Sequence, residues 1–204
     1  MLEKKKILLI ITGSVSSYKS LYLIRLLKAR GADINCVMTE SAKKFITPLA
    51  VSSLTEKKVY ENLFDLDDEA EMGHINLARI HDLIIIAPAT ANFISKISKG
   101  IADDLASSIL LATTRKVFFY PAMNINMWNN PIIKDNVKYL KTSGYYVLNP
   151  GKGSLACGDV GLGRLTEPEQ ILSDINNFFL SSSAFPLKGI SALVTAGPTV
   201  EPID

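Results

Sequence analysis

The chain has 204 residues, room for one full domain at roughly 100–200 residues per domain. Hydrophobic residues make up 48% and charged residues 21%, which supports a packed core and excludes a disordered tail. Lys and Arg total 22 against 20 acidic residues, a net charge of +2, and no basic run extends beyond Lys4-Lys5-Lys6, so nucleic acid is a poor partner; the apolar runs at 7–11 and 83–87 fall far short of the ~18 residues of a membrane span.

The first residues run directly into an apolar stretch too short for a secretory signal, with no small-residue cleavage site after it. A cytoplasmic protein is expected. Two cysteines, Cys36 and Cys157, and two histidines, His74 and His81, lack the spacings of a disulfide framework or a zinc site.

In chain order, residues 5–12 read as a buried strand, and residues 18–28 as a helix with Leu21, Ile24 and Leu27 at helical spacing, ended by Gly31. Residues 34–38, 83–87, 117–120 and 145–148 read as further strands. A helix over residues 168–180 carries Ile171, Ile175 and Phe178 on one stripe, and residues 181–186 have linker composition. Short apolar runs alternating with helical stretches are the pattern of a parallel sheet with crossover helices, an α/β fold. Residues 190–195 form a β-rich run after the linker, set apart from the first domain.

The segments that follow the strands carry the candidate chemistry. Gly13-Ser14-Val15-Ser16-Ser17 joins the first strand to the first helix, where backbone N–H groups and the helix dipole favour an anion. It holds neither G-x-G-x-x-G nor a P-loop, so a single phosphate suits it better than a dinucleotide, and an ordinary Ser-capped turn is the plain alternative. Thr39-Glu40-Ser41 offers hydroxyls on the same sheet edge. In Pro88-Ala89-Thr90-Ala91-Asn92, small residues let a flat ring approach the backbone; otherwise Thr90 simply caps a helix over residues 92–99. Pro121-Ala122-Met123-Asn124-Ile125-Asn126-Met127-Trp128 gathers amides able to grip a carboxylate, or else Met123, Met127 and Trp128 fill the core. Residues 151–164, with five glycines and Cys157, have the composition of a mobile loop able to close over a ligand. His74 is a candidate general base; His81, beside Asp82 at a strand entrance, reads as a hydrogen-bonded structural residue.

The order of these segments, from Gly-Ser-Val through Thr-Glu-Ser, His-Ile-Asn-Leu, Pro-Ala-Thr-Ala-Asn, Gly-Ile-Ala-Asp-Asp-Leu and Pro-Ala-Met-Asn-Ile-Asn-Met-Trp to Leu-Ala-Cys-Gly and Gly-Leu-Gly-Arg, resembles the flavin-dependent cysteine decarboxylases, and among them the phosphopantothenoylcysteine decarboxylases of coenzyme A biosynthesis. The resemblance spans residues 5 to about 180. Residues 193–199 resemble the opening of a phosphopantothenate–cysteine ligase domain, so 1–180 would be the decarboxylase domain, 181–188 a linker and 189–204 only the start of the ligase. The family's fold is a flavodoxin-like Rossmann three-layer sandwich. Its cofactor is FMN, whose phosphate would sit on Gly13, Ser14, Val15, Thr39 and Ser41, with Phe45, Ala89, Thr90, Ala91 and Asn92 against the ring. The resemblance further implies that His74 assists flavin oxidation of the substrate to a thioaldehyde. Asn124 would hold the substrate carboxylate, Cys157 would protonate the ene-thiolate left when CO2 departs, and Met127 and Ala156 would line the pocket. Members form homotrimers, in some cases dodecamers of four trimers, with the flavin at a subunit interface. Tyr120 before Pro121, and Ser16-Ser17 in place of two alanines, depart from the family pattern; Tyr120 threatens to crowd the strand end. Two other readings belong to relatives: a flavin prenyltransferase, opposed by the Pro-Ala-Met-Asn and Leu-Ala-Cys-Gly segments, and a non-catalytic FMN-binding phosphatase regulator, opposed by the presence of His74, Asn124 and Cys157.

Overall fold

Strand β1 (Lys6–Ile11) is apolar at every position after Lys6 and wholly buried there, as a strand covered on both faces must be. In this computed structural model, which describes residues 2–63, 73–154 and 158–183, β1 lies at the centre of a six-stranded parallel sheet. The other strands are β2 (Asp33–Met38), β3 (Val59–Tyr60), β4 (Leu83–Ala89), β5 (Lys116–Pro121) and β6 (Tyr146–Val147), in the order β3-β2-β1-β4-β5-β6. Without the two-residue β3 this is the flavodoxin-like order expected from the sequence. Register is continuous across the centre, with Ile7 opposite Ile34 on one side and Leu83 on the other.

Because side chains alternate across a strand, β1 feeds two cores. Ile7, Leu9 and Ile11 pack with Leu23, Ile24 and Leu27 of α1 (Tyr18–Ala29), Val51 of α2 (Pro48–Thr55) and Ile171 and Ile175 of α8 (Pro168–Ser183). Leu8 and Ile10 pack on the opposite face, against α3 (Gly73–Ile80), α4 (Ala91–Ser98), α5 (Leu105–Ala112) and α7 (Pro131–Thr142). The short α6 (Ile125–Asn129) follows β5. Helix boundaries follow local chemistry: Thr90 accepts from Phe93 N at 3.4 Å to start α4, Asp104 forms a reciprocal capping box with Ser107 at α5, and Pro131 occupies the first turn of α7.

Two expectations change. Residues 151–164 do not read as loop at their flanks: β7 (Gly151–Ser154) and β8 (Val160–Arg164) form an antiparallel pair. Helix α8 runs through Ser183 rather than stopping at 180, and Ser181 Oγ donates to Phe178 O at 2.9 Å, back-bonding that lets serine continue a last turn. Ala156, Cys157, the remainder of the linker from 184 and residues 189–204 lie outside the described residues.

His81 is the structural residue anticipated. It is 1% exposed, Nδ1 donates to Leu77 O at 2.8 Å and Nε2 accepts from Asn35 at 3.1 Å. Tyr120 does not crowd the sheet edge, because its ring turns into the core shared with α8, where its hydroxyl donates to Asp174 at 3.3 Å. Burial pushes that phenol well above its usual range, and the nearby Asp174 charge adds to it.

Candidate functional site

Ligands of open α/β sheets bind outside the carboxyl ends of the strands, where neighbouring strands send their connections to opposite faces. Here that point lies between β1 and β4, because β1 leads to α1 on one face and β4 to α4 on the other. Thr12, 2% exposed, ties the two strand ends together. Its hydroxyl donates to Pro88 O at 2.8 Å and accepts from Thr90 N at 3.2 Å. Two more buried hydroxyls hold α1 in place: Ser17 Oγ donates to Ser14 O at 2.6 Å, and Ser20 Oγ to Ala87 O at 2.7 Å. Composition gave no sign of these staples, since a serine in a helix usually marks an end.

A cavity of about 520 Å³ opens at this point, bordered by Gly13, Ser14, Thr39, Ser41, Thr90 and Asn92. It lies within the ~300–1,000 Å³ usual for small-molecule sites. The Gly13 turn packs so closely on the β2 exit that an added Cβ would meet the Ser41 side chain and come within 2.7 Å of the Ser41 carbonyl C and O. Ala91, Phe93, Ala122, Met123 and Met127 supply apolar wall. Lys96 and Asp104 complete the rim, with Lys96 Nζ 2.6 Å from Asp103 and 3.3 Å from Asp104. The hydrogen bond to Asp103 raises the Lys96 pKa and depresses that of Asp103.

A second cavity of about 370 Å³ shares Ser14, Ala122 and Met123 with the first and continues past Val15 and Asn124 to Lys19 and Arg164. Its floor is joined to the β7–β8 pair by Met123 N donating to Gly163 O at 2.9 Å. Asn124 caps α6 through Oδ1, which accepts from Asn126 N at 2.7 Å, while its Nδ2 donates to the Asp159 carboxylate at 3.1 Å.

The anticipated residues therefore divide. Gly13, Ser14, Thr39, Ser41, Thr90, Ala91, Asn92 and Met127 border the first cavity; Val15 and Asn124 border the second. Ala89 is fully buried at the end of β4, where its carbonyl accepts from Ala122 N. Phe45 is 51% exposed and borders neither cavity. His74 is half-buried in the first turn of α3 and also borders neither. Trp128 is core, 4% exposed, whereas Met127 is not. Lys19, Lys96, Asp104 and Arg164 were not anticipated, being ordinary surface types in sequence.

The flavoprotein family model matches residues 1–180. The chain belongs to the flavoprotein family. The chain is 42% identical over 204 residues to the coenzyme A biosynthesis bifunctional protein CoaBC of Bacillus subtilis and 42% identical over 203 residues to that of Escherichia coli. It is matched along its whole length and spans about half the length of these relatives. Among solved structures, a PPC decarboxylase complexed with pantothenoylaminoethenethiol superposes with a TM-score of 0.76 at 33% identity, covering 87% of this chain and 100% of that one. The FMN-dependent cysteine decarboxylase SpaF superposes with a TM-score of 0.75 at 28% identity, covering 90% and 100%. Family membership makes the cofactor a flavin. Among the described residues no helix is long and apolar enough to cross a membrane, and no cluster of His, Cys, Asp and Glu could hold a metal ion.

Proposed function

We propose that this chain catalyses FMN-dependent decarboxylation of 4'-phospho-N-pantothenoyl-L-cysteine to 4'-phosphopantetheine and CO2, in the cytoplasm. The observation that carries this is the pair of joined cavities at the sheet's switch point, one walled by hydroxyls and small residues and the other presenting the Asn124 amide. The donor set of the first cavity fits FMN. Ser14, Thr39 and Ser41 hydroxyls with the Gly13–Val15 turn suit one phosphate, and Thr90, Ala91 and Asn92, at the end of the β4 strand that closes with Ala89, suit a flat ring. When bound, FMN supplies the two-electron oxidation of the thiol-bearing carbon and the later return of a hydride.

The protein's own residues bind, orient and move protons. Asn124 Nδ2 already donates to a carboxylate, that of Asp159, and the same bond to the substrate carboxylate would fix the cysteinyl carbon against the ring. Met127 borders the first cavity, His74 accepts the thiol proton during oxidation, and Cys157 donates a proton when the ene-thiolate is reduced. His74 borders neither cavity of its own chain; it serves the site of a neighbouring subunit in a homotrimer, or in a dodecamer of four trimers. Phe45, exposed beside the β2 exit, reaches the ring across the same junction.

Product analysis of variants tests the assignment. Cys157→Ser should release CO2 and accumulate the ene-thiol, and His74→Asn should retain FMN and release no CO2. A mixed assembly of His74→Asn and Asn124→Asp chains should regain activity that neither has alone. Normal yield of 4'-phosphopantetheine from Cys157→Ser, or unchanged turnover in His74→Asn, would remove that residue from the mechanism.

A further inference from the structure

Lys19 is 8% exposed, and among the described residues its ammonium has one partner, Glu167 Oε1 at 2.7 Å. An ammonium carries three donors, so two remain for the cavity that Lys19 lines. Arg164 lines the same cavity, and its Nη2 donates to the same Glu167 oxygen at 3.1 Å, which among the described residues leaves most of the guanidinium fork uncommitted. Two cations on one carboxylate leave a net charge of +1. Glu167 is 55% exposed, so its carboxylate can turn to water when an incoming anion takes its place beside the buried Lys19 ammonium. The Ser14 and Ser16 hydroxyls on the same wall are hydrogen-bonded to each other at 2.9 Å, which leaves one of their two protons to offer. A buried, under-partnered lysine, an arginine fork and one hydroxyl are donors suited to a phosphate dianion. Asn124 lies in the same cavity, and Val15, Tyr18, Met123 and Leu165 supply apolar wall for a linear chain between the two ends.

We propose that Lys19 and Arg164 form the subsite for the terminal phosphate of the thiol substrate and set the preference for phosphorylated over unphosphorylated pantothenoyl compounds. This rests on the decarboxylase reading, and the flavin's own phosphate has the same chemistry. The test therefore measures binding by equilibrium dialysis of FMN-loaded protein with 4'-phosphopantetheine and with pantetheine. Wild type should bind the phosphorylated compound at least about tenfold more tightly. Lys19→Gln and Arg164→Gln should each lose most of that preference by weakening the phosphorylated compound alone, with the FMN-to-riboflavin affinity ratio unchanged. Glu167→Gln, which breaks the same ion pairs but keeps both cations, should retain the preference. An unchanged preference in Lys19→Gln and Arg164→Gln would overturn the subsite, as would equal loss in Glu167→Gln, which would make the cluster merely structural. A fall in FMN affinity with riboflavin unaffected would instead assign these cations to the flavin. Arg164 is the more exposed of the two and decides the matter alone if Lys19→Gln does not fold. Failure of wild type to release CO2 from the thiol substrate would count against the decarboxylase reading only, since the binding comparison needs no turnover.

Discussion

Gly13→Ala tests whether the proposed flavin site depends on the close approach of the β1 and β2 exits. The added Cβ would lie 2.4 Å from Ser41 Cβ and 2.7 Å from the Ser41 carbonyl carbon and oxygen, where ordinary contact begins at 3.4 Å, so the two turns must part by about 1 Å. Gly13 does not have a left-handed backbone, so the cost is steric rather than conformational. The clash is with main chain, which cannot rotate away, and overpacking of this kind costs about 1–3 kcal/mol, a fall in Tm of roughly 2–12 °C for a chain of this size. The displaced turns carry Ser14 and Ser41, so FMN affinity should fall by about tenfold or more. Thermal melts of the apoprotein and a fluorescence titration with FMN measure both. The sharper arm is the double variant Gly13→Ala/Ser41→Gly. It removes the Ser41 side chain but leaves the carbonyl in place, so little stability or affinity should return. Wild-type melting and affinity in Gly13→Ala, or full rescue by Ser41→Gly, would refute the steric argument.

Thr12→Val keeps the shape but leaves Pro88 O and Thr90 N without their buried partner, so urea unfolding should show a loss of about 1–3 kcal/mol; an unchanged midpoint would remove the strand clasp from the account. Burial, helped by the Lys57 charge and opposed by the Leu77 carbonyl bond, holds the His81 pKa below its usual value. The unfolded chain then takes up a proton as pH falls through roughly 6.5 while the folded chain does not, so this contribution is full above that pH and declines below it. Stability measured at pH 7 and pH 5 should therefore fall less in His81→Asn than in wild type, and equal slopes would contradict the reasoning. Burial also pushes the Cys36 thiol above its ordinary range, so iodoacetamide at pH 8 should leave Cys36 unmodified in native protein and label it in urea; native labelling would show that the strand opens.

The central strands were legible because full burial leaves only apolar runs, and residues 7–11 and 83–87 are such runs. The β7–β8 pair was not, because its glycines looked like flexibility. In the structure two of them mark close packing: a Cβ at Gly161 would strike Ile125, and one at Gly163 would strike the Met123 carbonyl. The alternation of Val160, Leu162 and Arg164 with glycine was the available sign of a strand. The turns that border the first cavity were readable from their positions after strands, a rule of topology. Lys19, Arg164 and Glu167 were not, because Lys19 and Glu167 are 148 residues apart and meet only when α8 packs beside α1. Asn124 was expected to hold the substrate carboxylate; in the structure its Nδ2 donates to the Asp159 carboxylate.

The most direct test of the central claim is mass spectrometry of 4'-phospho-N-pantothenoyl-L-cysteine incubated with the purified protein and FMN. The account predicts conversion to 4'-phosphopantetheine with loss of one CO2, dependent on added or retained FMN. Protein that binds FMN and leaves the thiol substrate intact would contradict it.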